Sequence, residues 1–392
     1  MKNINELYTA DPFVLYDEKS GYYYCFGTYH LKDKHAFKIF KSKDKDNWEF
    51  VNYALDLQHE NIWGKDWFWA PECYYNPNNG FYYLFYSARV KDELTEKYFH
   101  DPNYVESCKL GVAVSKNVEG PYVNITNEPM DFSPFDFEYI DVDGVSNIFE
   151  LTTDDVIKSS PVGNYIPAID VNLLIEDNRI VLYFSRCCYK NCRFDYEYNR
   201  FIEASEVACV ELDTKWWFDP FAQTMPQIKN EYITYDSNHR RCDKFITLIN
   251  YRDEPQKWEN QHISDYFIYD KNRKNRRWSE GSTIFKMRLN GKMVYAITYS
   301  CNCYMDKDYA VGIAFSENPL GPFKKYENNP IIFEQENVCS TGHGSIVFEG
   351  NEVYYFLHGR LDVARDRILC YTKIKEDQGN VSSEKITVCN LI

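Results

Sequence analysis

GYYYCFGTY, residues 21–29, is a short run rich in Tyr and Phe that opens on a glycine and closes on small or polar residues. Four further runs resemble it: GFYYLFYSA from Gly80, RIVLYFSRC from Arg179, KMVYAITYS from Lys292 and EVYYFLHGR from Glu352. Each follows a polar turn, and its Tyr, Phe, Val and Ile content marks a strand. A second element follows three of them: KIFKSKDKDNWEFV from Lys38, GVAVSKNVEGPYV from Gly111 and GIAFSENPLGPFK from Gly312. The last two share the skeleton G-x-A-x-S-x-N-x-x-G-P-aromatic, a strand and reverse turn used twice. Helical periodicity is scarce. The recurrence predicts an all-β chain, a five-bladed β-propeller forming one domain, since radial repetition of small sheets limits exposed edges. The expected blades span roughly residues 8–60, 67–125, 165–230, 276–335 and 339–390, with inter-blade insertions at about 126–164 and 231–275. A pair of sandwiches is the alternative, and it leaves the fivefold recurrence without a cause.

Bulk properties narrow the function. The 392 residues suffice for one large domain. Aromatics make up 17%, with 34 Tyr and 26 Phe; such rings pack on pleated surfaces and also cover the apolar faces of sugars. A net charge of −15 without a basic stripe argues against nucleic acid and against an anionic membrane as partners, and suits a neutral substrate. No apolar run of 18 residues is present, and MKNINELYTADPF lacks a secretory apolar stretch. The thirteen cysteines are irregularly spaced and read as reduced thiols of a cytoplasmic protein. CCYKNC (Cys187, Cys188, Cys192) and CNC (Cys301, Cys303) lack the second ligand pair of a zinc site.

Three carboxylates stand just ahead of apolar strands. Asp11 precedes PFVLY, Asp170 precedes VNLLI and Glu280 precedes GSTIFK. Each strand leads through a polar turn into one of the aromatic runs. Alone, each carboxylate reads as a cap or turn residue. As occupants of one repeated slot in blades one, three and four, they are expected to converge on the axis.

ADPFVLY…GYYYCFGTY, WAPECYY (residues 69–75), AIDVNLLIEDNRIVLYFSR, WSEGSTIFK…VYAITYS and STGHGSIVF (residues 340–348) together resemble the motifs of glycoside hydrolase family 43. They fall in that family's order along nearly the whole chain. The resemblance implies a five-bladed propeller and an inverting glycosidase acting on arabinose- and xylose-containing glycans. It implies Asp11 as general base, Glu280 as general acid, and Asp170 as the residue that orients the acid and sets its pKa. Inversion needs one carboxylate to activate water and one protonated carboxyl for the leaving oxygen, about 6.5–9.5 Å apart. A neighbouring carboxylate keeps the acid protonated by like-charge repulsion.

The same resemblance points to His343, between glycines in TGHGS, as an axial residue and candidate ligand of a structural calcium ion; the chemistry itself requires no cofactor. It places Arg367 on the terminal sugar, with Arg360 and Arg365 as rivals. Trp69 and Phe26 are expected to wall the sugar site, core packing being the rival for Phe26. Glu72 in WAPE is set apart from catalysis. YIDVDGVSNIFE (residues 139–150) has Tyr at the first position of a calcium loop, so an EF-hand is not expected. KNRKNRRW (residues 271–278) reads as a solvated loop at the pocket rim.

A non-catalytic sugar-binding propeller is the rival from another class; it needs none of the three carboxylates. Sucrose-acting propellers are disfavoured because WMNDPNG and RDP are absent. The expected activity is release of a terminal xylose or arabinofuranose, with endo-cleavage of arabinan or xylan as the alternative.

Overall fold

The computed structural model describes residues 6–132, 135–136, 139–141, 163–176, 178–186, 191–195, 200–235, 241–260, 266–268, 272–274 and 276–392. Five antiparallel sheets surround one axis. Blade I comprises Ala10–Asp17, Tyr22–Leu31, His35–Ser42 and Asn47–Asp56; blade II comprises Gly64–Tyr75, Tyr82–Val90, Cys108–Ser115 and Val123–Asn124. Blade III comprises Ala168–Glu176, Arg179–Arg186, Glu206–Leu212 and Ile246–Ile249. Blade IV comprises Ser279–Leu289, Lys292–Cys301, Ala310–Ser316 and Lys324–Lys325; blade V comprises Cys339–Glu349, Glu352–Arg360, Ile368–Asp377 and Asn380–Ser383. Asp92–Phe99 is the one α-helix among the described residues.

The five aromatic runs are the second strands of the five blades, and their composition follows from position. Such a strand is buried on both faces, so alternate side chains feed the cores on either side. Leu84 and Tyr86 pack toward blade I while Tyr83 and Phe85 pack toward blade III. Val181 and Tyr183 meet blade IV, whereas Leu182 and Phe184 meet blade II. Five clusters fill the five interfaces in this manner. The shared skeleton is one turn made twice. Ser115 Oγ accepts the Asn117 N–H and Asn117 Oδ1 accepts the Glu119 N–H, as Ser316 Oγ and Asn318 Oδ1 do for the N–H groups of Asn318 and Leu320.

Polar bridges near the axis join every pair of neighbours. Thr28 Oγ1 accepts the Ala70 N–H (2.9 Å) between blades I and II, and Asn172 Nδ2 donates to Glu72 Oε2 (3.1 Å) between II and III. Asn172 Oδ1 accepts the Ile284 N–H (2.9 Å), Thr283 Oγ1 donates to the Gly344 carbonyl (2.6 Å), and Ser345 Oγ accepts the Val14 N–H (2.8 Å). Each such buried bond is worth about 1 kcal/mol net, and more if one partner is orphaned.

The ends interlock. Residues 7–9 bond to blade V through Leu369 N–H to the Leu7 carbonyl (2.9 Å) and Thr9 N–H to the Arg367 carbonyl (3.1 Å). Asn390–Leu391 pairs in parallel with Asn47 and Trp48 of blade I.

Two expectations about boundaries change. Blade III does not end at 230: its outer strand is Ile246–Ile249, inside the stretch read as an insertion. That strand is four residues long, too short to stand out by pattern. Ile140–Asp141, Asn191–Asp195, Arg200–Ala204 and Arg276–Arg277 form a further four-stranded sheet outside the blades, so residues 276–277 belong to it and blade IV starts at Ser279. Most of residues 126–164, Cys187 and Cys188, most of the calcium-loop stretch, and Lys271 and Asn275 of the basic cluster lie outside the described residues. Arg277 of the basic cluster is buried, its guanidinium 3.7 Å from the Tyr251 ring centroid, instead of solvated.

Candidate active site

Every inner strand is bulged near the axis and carries there a residue with positive φ: Asp11 (48°), Ala70 (48°), Asp170 (58°), Gly281 (57°) and His343 (42°), with Trp67 (54°) and Ser340 (51°) at further irregularities of blades II and V. A bulge bends the strand and re-aims its side chains. Left-handed backbone costs a residue with a Cβ roughly 1–2 kcal/mol, least for Asp and Asn. Holding four such non-glycine residues in a ring is the kind of strain that rigid surroundings sustain at functional sites.

The bulges supply most of one pocket of about 110 Å³, lined by Asp11, Trp69, Ile169, Asp170, Glu280, Tyr304, Tyr309, His343 and Arg367. Asp11, Asp170 and His343 are bulge residues, while Trp69, Ile169 and Glu280 each stand one position ahead of the bulge residue. The three carboxylates therefore converge as expected but do not share one slot. In blade IV the equivalent of Asp11 and Asp170 is Gly281, and the carboxylate comes from the preceding residue. The His343 ring explains the exchange: a Cβ on Gly281 would lie 2.7 Å from His343 Cγ.

Asp11 is held as a carboxylate. Its Oδ1 accepts from Arg367 Nη1 (2.9 Å) and its Oδ2 from Thr28 Oγ1 (2.7 Å), while His343 Nδ1 lies 3.5 Å from Oδ1. Burial opposes ionisation, yet Arg367 and the His343 ring outweigh it and keep the group well below the usual carboxylate range. His358, fully buried, is pushed down to about 3 by that burial and is neutral. Its Nδ1 accepts the Asp11 backbone N–H (3.2 Å), so the 3.4 Å approach to Asp11 Oδ1 is a contact between a neutral ring and a carboxylate.

Glu280 is the opposite case. Burial first, then the Asp170 charge, push it up to about 7, against His343 and the hydrogen bonds from Tyr309 and Trp278. Asp170 is itself raised, chiefly by burial and also by the Asp11 charge. Its Oδ2 accepts from Ser185 Oγ (3.0 Å) and from the Gly281 N–H (3.1 Å), the amide next to Glu280. One pocket thus holds a carboxyl ionised across the working range and another that keeps its proton near neutrality. Such a pair can move protons in opposite directions on one substrate.

Trp69 and Arg367 line the pocket as expected. Trp69 is stacked on Trp67 (5.0 Å between centroids, 11°), and Arg89, paired with Asp66, lies 4.4 Å over Trp67. Phe26 does not line it: the side chain is fully buried between blades I and II, edge-on to Tyr122. A second-strand residue in the middle of its strand faces a neighbouring blade, whereas the pocket is lined by the starts of inner strands and by Tyr304, Tyr309 and Arg367 from the connections between strands. Arg360 and Arg365 lie outside the pocket, Arg365 paired with Glu6. Among the described residues no group of three or more His, Cys, Asp or Glu side chains is set to hold a metal ion. His343 shares its nearest carboxylate with an arginine, a poor match to the six to eight oxygens that calcium takes.

The sequence reading missed Tyr304, Tyr309, Ile169, His358 and Trp278. Two left signals: Trp278 precedes Glu280 by two residues, which puts both on one face of a strand, and His358 interrupts the apolar run EVYYFLHGR.

The profile of glycosyl hydrolases family 43 matches residues 2–146 and 199–375. No curated protein matches the chain. Among solved structures, a thermostable family-43 glycoside hydrolase superposes with a TM-score of 0.65 at 22% identity, over 98% of this chain and 95% of its own. An endo-1,4-beta-xylanase from Bacteroides thetaiotaomicron gives 0.64 at 23%, over 100% and 99%. An alpha-L-arabinofuranosidase from Lactobacillus brevis gives 0.57 at 15%, over 99% and 98%. The fold is common to all three, the last two are named for different activities, and the chain belongs to glycosyl hydrolases family 43.

Proposed function

We propose that this glycoside hydrolase removes one terminal pentose, xylose or arabinofuranose, from short plant-type oligosaccharides with inversion at the anomeric carbon. Asp11 is the general base that takes a proton from the attacking water. Glu280 is the general acid that protonates the leaving oxygen, and Asp170 keeps it protonated and oriented. The observation that carries this reading is the opposed ionisation of Asp11 and Glu280 in one pocket. General acid–base chemistry of inversion asks for that pairing.

Exo action is favoured by size. A pocket of about 110 Å³ is well under the ~300–1,000 Å³ of clefts that bury larger ligands, and it suits one sugar ring. The added sheet rises on the same side: Ser279, next to Glu280, donates its N–H to the Ser205 carbonyl (3.2 Å), and Ser205 to that of Arg277 (2.9 Å). Nine buried cysteines carry thiols outside any disulfide, which suits a reducing, cytoplasmic setting and imported oligosaccharides as substrate.

Turnover of aryl xylosides and arabinofuranosides beside polymeric xylan and arabinan tests the reading, with proton NMR of the first-formed anomer. Early release of mixed oligosaccharides from polymer overturns exo action, and retained configuration overturns the roles of Asp11 and Glu280.

A further inference from the structure

Both oxygens of Glu280 are engaged, by donors of different kinds. Tyr309 hydroxyl donates to Oε1 (2.8 Å), and the Trp278 indole N–H donates to Oε2. An indole N–H only donates, whereas a phenol can donate or accept. A proton on Oε2 would point at the indole hydrogen, donor against donor. A proton on Oε1 meets a hydroxyl that can turn to receive it. The surroundings agree: Tyr309 lines the pocket, while Trp278 does not and packs behind Ile169 and against Cys108. Tyr309 in turn lies parallel to the His358 ring (5.7 Å, 6°), whose Nδ1 accepts the backbone N–H of Asp11.

We infer that Trp278 and Tyr309 are positioning residues which assign the transferable proton of Glu280 to Oε1, the oxygen beside the pocket-lining Tyr309, and that His358 sets Tyr309 in register with Asp11. This inference rests on Glu280 acting as the acid. In the step, the bond from the anomeric carbon to the leaving oxygen breaks and that oxygen takes the Oε1 proton. The anomeric carbon bonds to water, whose proton passes to Asp11. Glu280 is left as a carboxylate. Tyr309 then turns from acceptor to donor, so both neighbours stabilise the charge as it forms, which is where binding accelerates a reaction.

The test has one arm without turnover and one with it. In the unsubstituted protein the indole Nε1–H resonance of Trp278 should shift with pH, following Glu280; a resonance that does not move over pH 5–9 overturns the assignment. Carbon-13 NMR titration of the Glu280 carboxyl in Trp278→Phe and Tyr309→Phe should give a higher pKa than wild type, since each change removes a donor to the ionised form. In turnover, both variants should lose at least about fivefold more kcat with an alkyl leaving group than with a dinitrophenyl one, the latter needing little protonation. Equal losses on both leaving groups, or unchanged titrations in folded variants, overturn the inference. If wild type turns over none of these glycosides, the proposed function fails while the NMR arm still decides the proton's place.

Discussion

Trp69 and Glu280 occupy the same step of two different blades: each directly precedes a positive-φ residue at a bulge of its inner strand, Ala70 in blade II and Gly281 in blade IV. One bulge geometry therefore delivers both an aromatic wall and an ionisable group to the pocket. The choice of group is made by sequence at that step, and the aim is made by the fold. Removing a side chain at this step should change chemistry or affinity without disturbing the propeller.

Asp11→Asn and Glu280→Gln should each lower hydrolysis of a natural oligosaccharide by about 10²–10⁴-fold with an unchanged circular dichroism spectrum. Glu280→Gln should retain far more activity on an aryl glycoside with an acidic leaving group. Near-wild-type rates in a folded variant would remove that residue from the mechanism.

Asp170→Asn should shift the alkaline limb of the kcat/KM profile to lower pH. After burial, the Asp170 charge is what raises Glu280 to about 7, so neutralising it lets Glu280 lose its proton sooner. A limb that stays in place would show that Asp170 only positions its neighbours.

Gly281→Ala should be destabilising by about 1–2 kcal/mol from its positive φ alone, and more from the Cβ placed 2.7 Å from His343 Cγ. Displacing His343 disturbs Asp11 and Glu280 together, so activity should fall more than stability. Chemical denaturation and steady-state rates on one preparation separate the two effects.

Glu72 makes a pH prediction away from the pocket. Burial pushes it up to about 8, against hydrogen bonds from Tyr74 and Asn172 and with the Asp170 charge adding to the rise. The folded state then binds this proton more tightly than the unfolded chain. Stability falls as pH rises from the unfolded value of 4.5 toward 8 and levels off above it. Each tenfold difference in proton affinity between the two states is worth about 1.4 kcal/mol, so the accumulated penalty is a few kcal/mol. Glu72→Gln should lack this slope, so its stability relative to wild type should improve between pH 5 and pH 8; parallel curves over that range would place the Glu72 pKa near its ordinary value.

The fivefold plan is legible in the sequence because second strands face a core on both sides and must be apolar throughout, which leaves five aromatic runs in the chain. Ile246–Ile249 is not legible, since an outer strand of four residues carries too little pattern. The convergence of Asp11, Asp170 and Glu280 is visible as carboxylates ahead of strands. Their one-residue offset is not, because Ile-Asp-Val and Glu-Gly-Ser look alike until the bulge register is known. Phe26 misled because an aromatic beside a sugar-binding motif and an aromatic in a core have the same letter. Tyr309 and His358 come from different blades and gain meaning only where the axis brings them side by side.

The interlocked ends have a consequence for the order of events. Asp11 leaves the ribosome long before His343, His358 and Arg367, which set its ionisation and orientation. Thr9 docks on Arg367 in the same contact that brings the guanidinium to Asp11. An incomplete chain can pack several blades and still leave the Asp11 carboxylate without the partners that orient it. Competence therefore appears in one step, when the last blade meets the first, and never in a truncated intermediate.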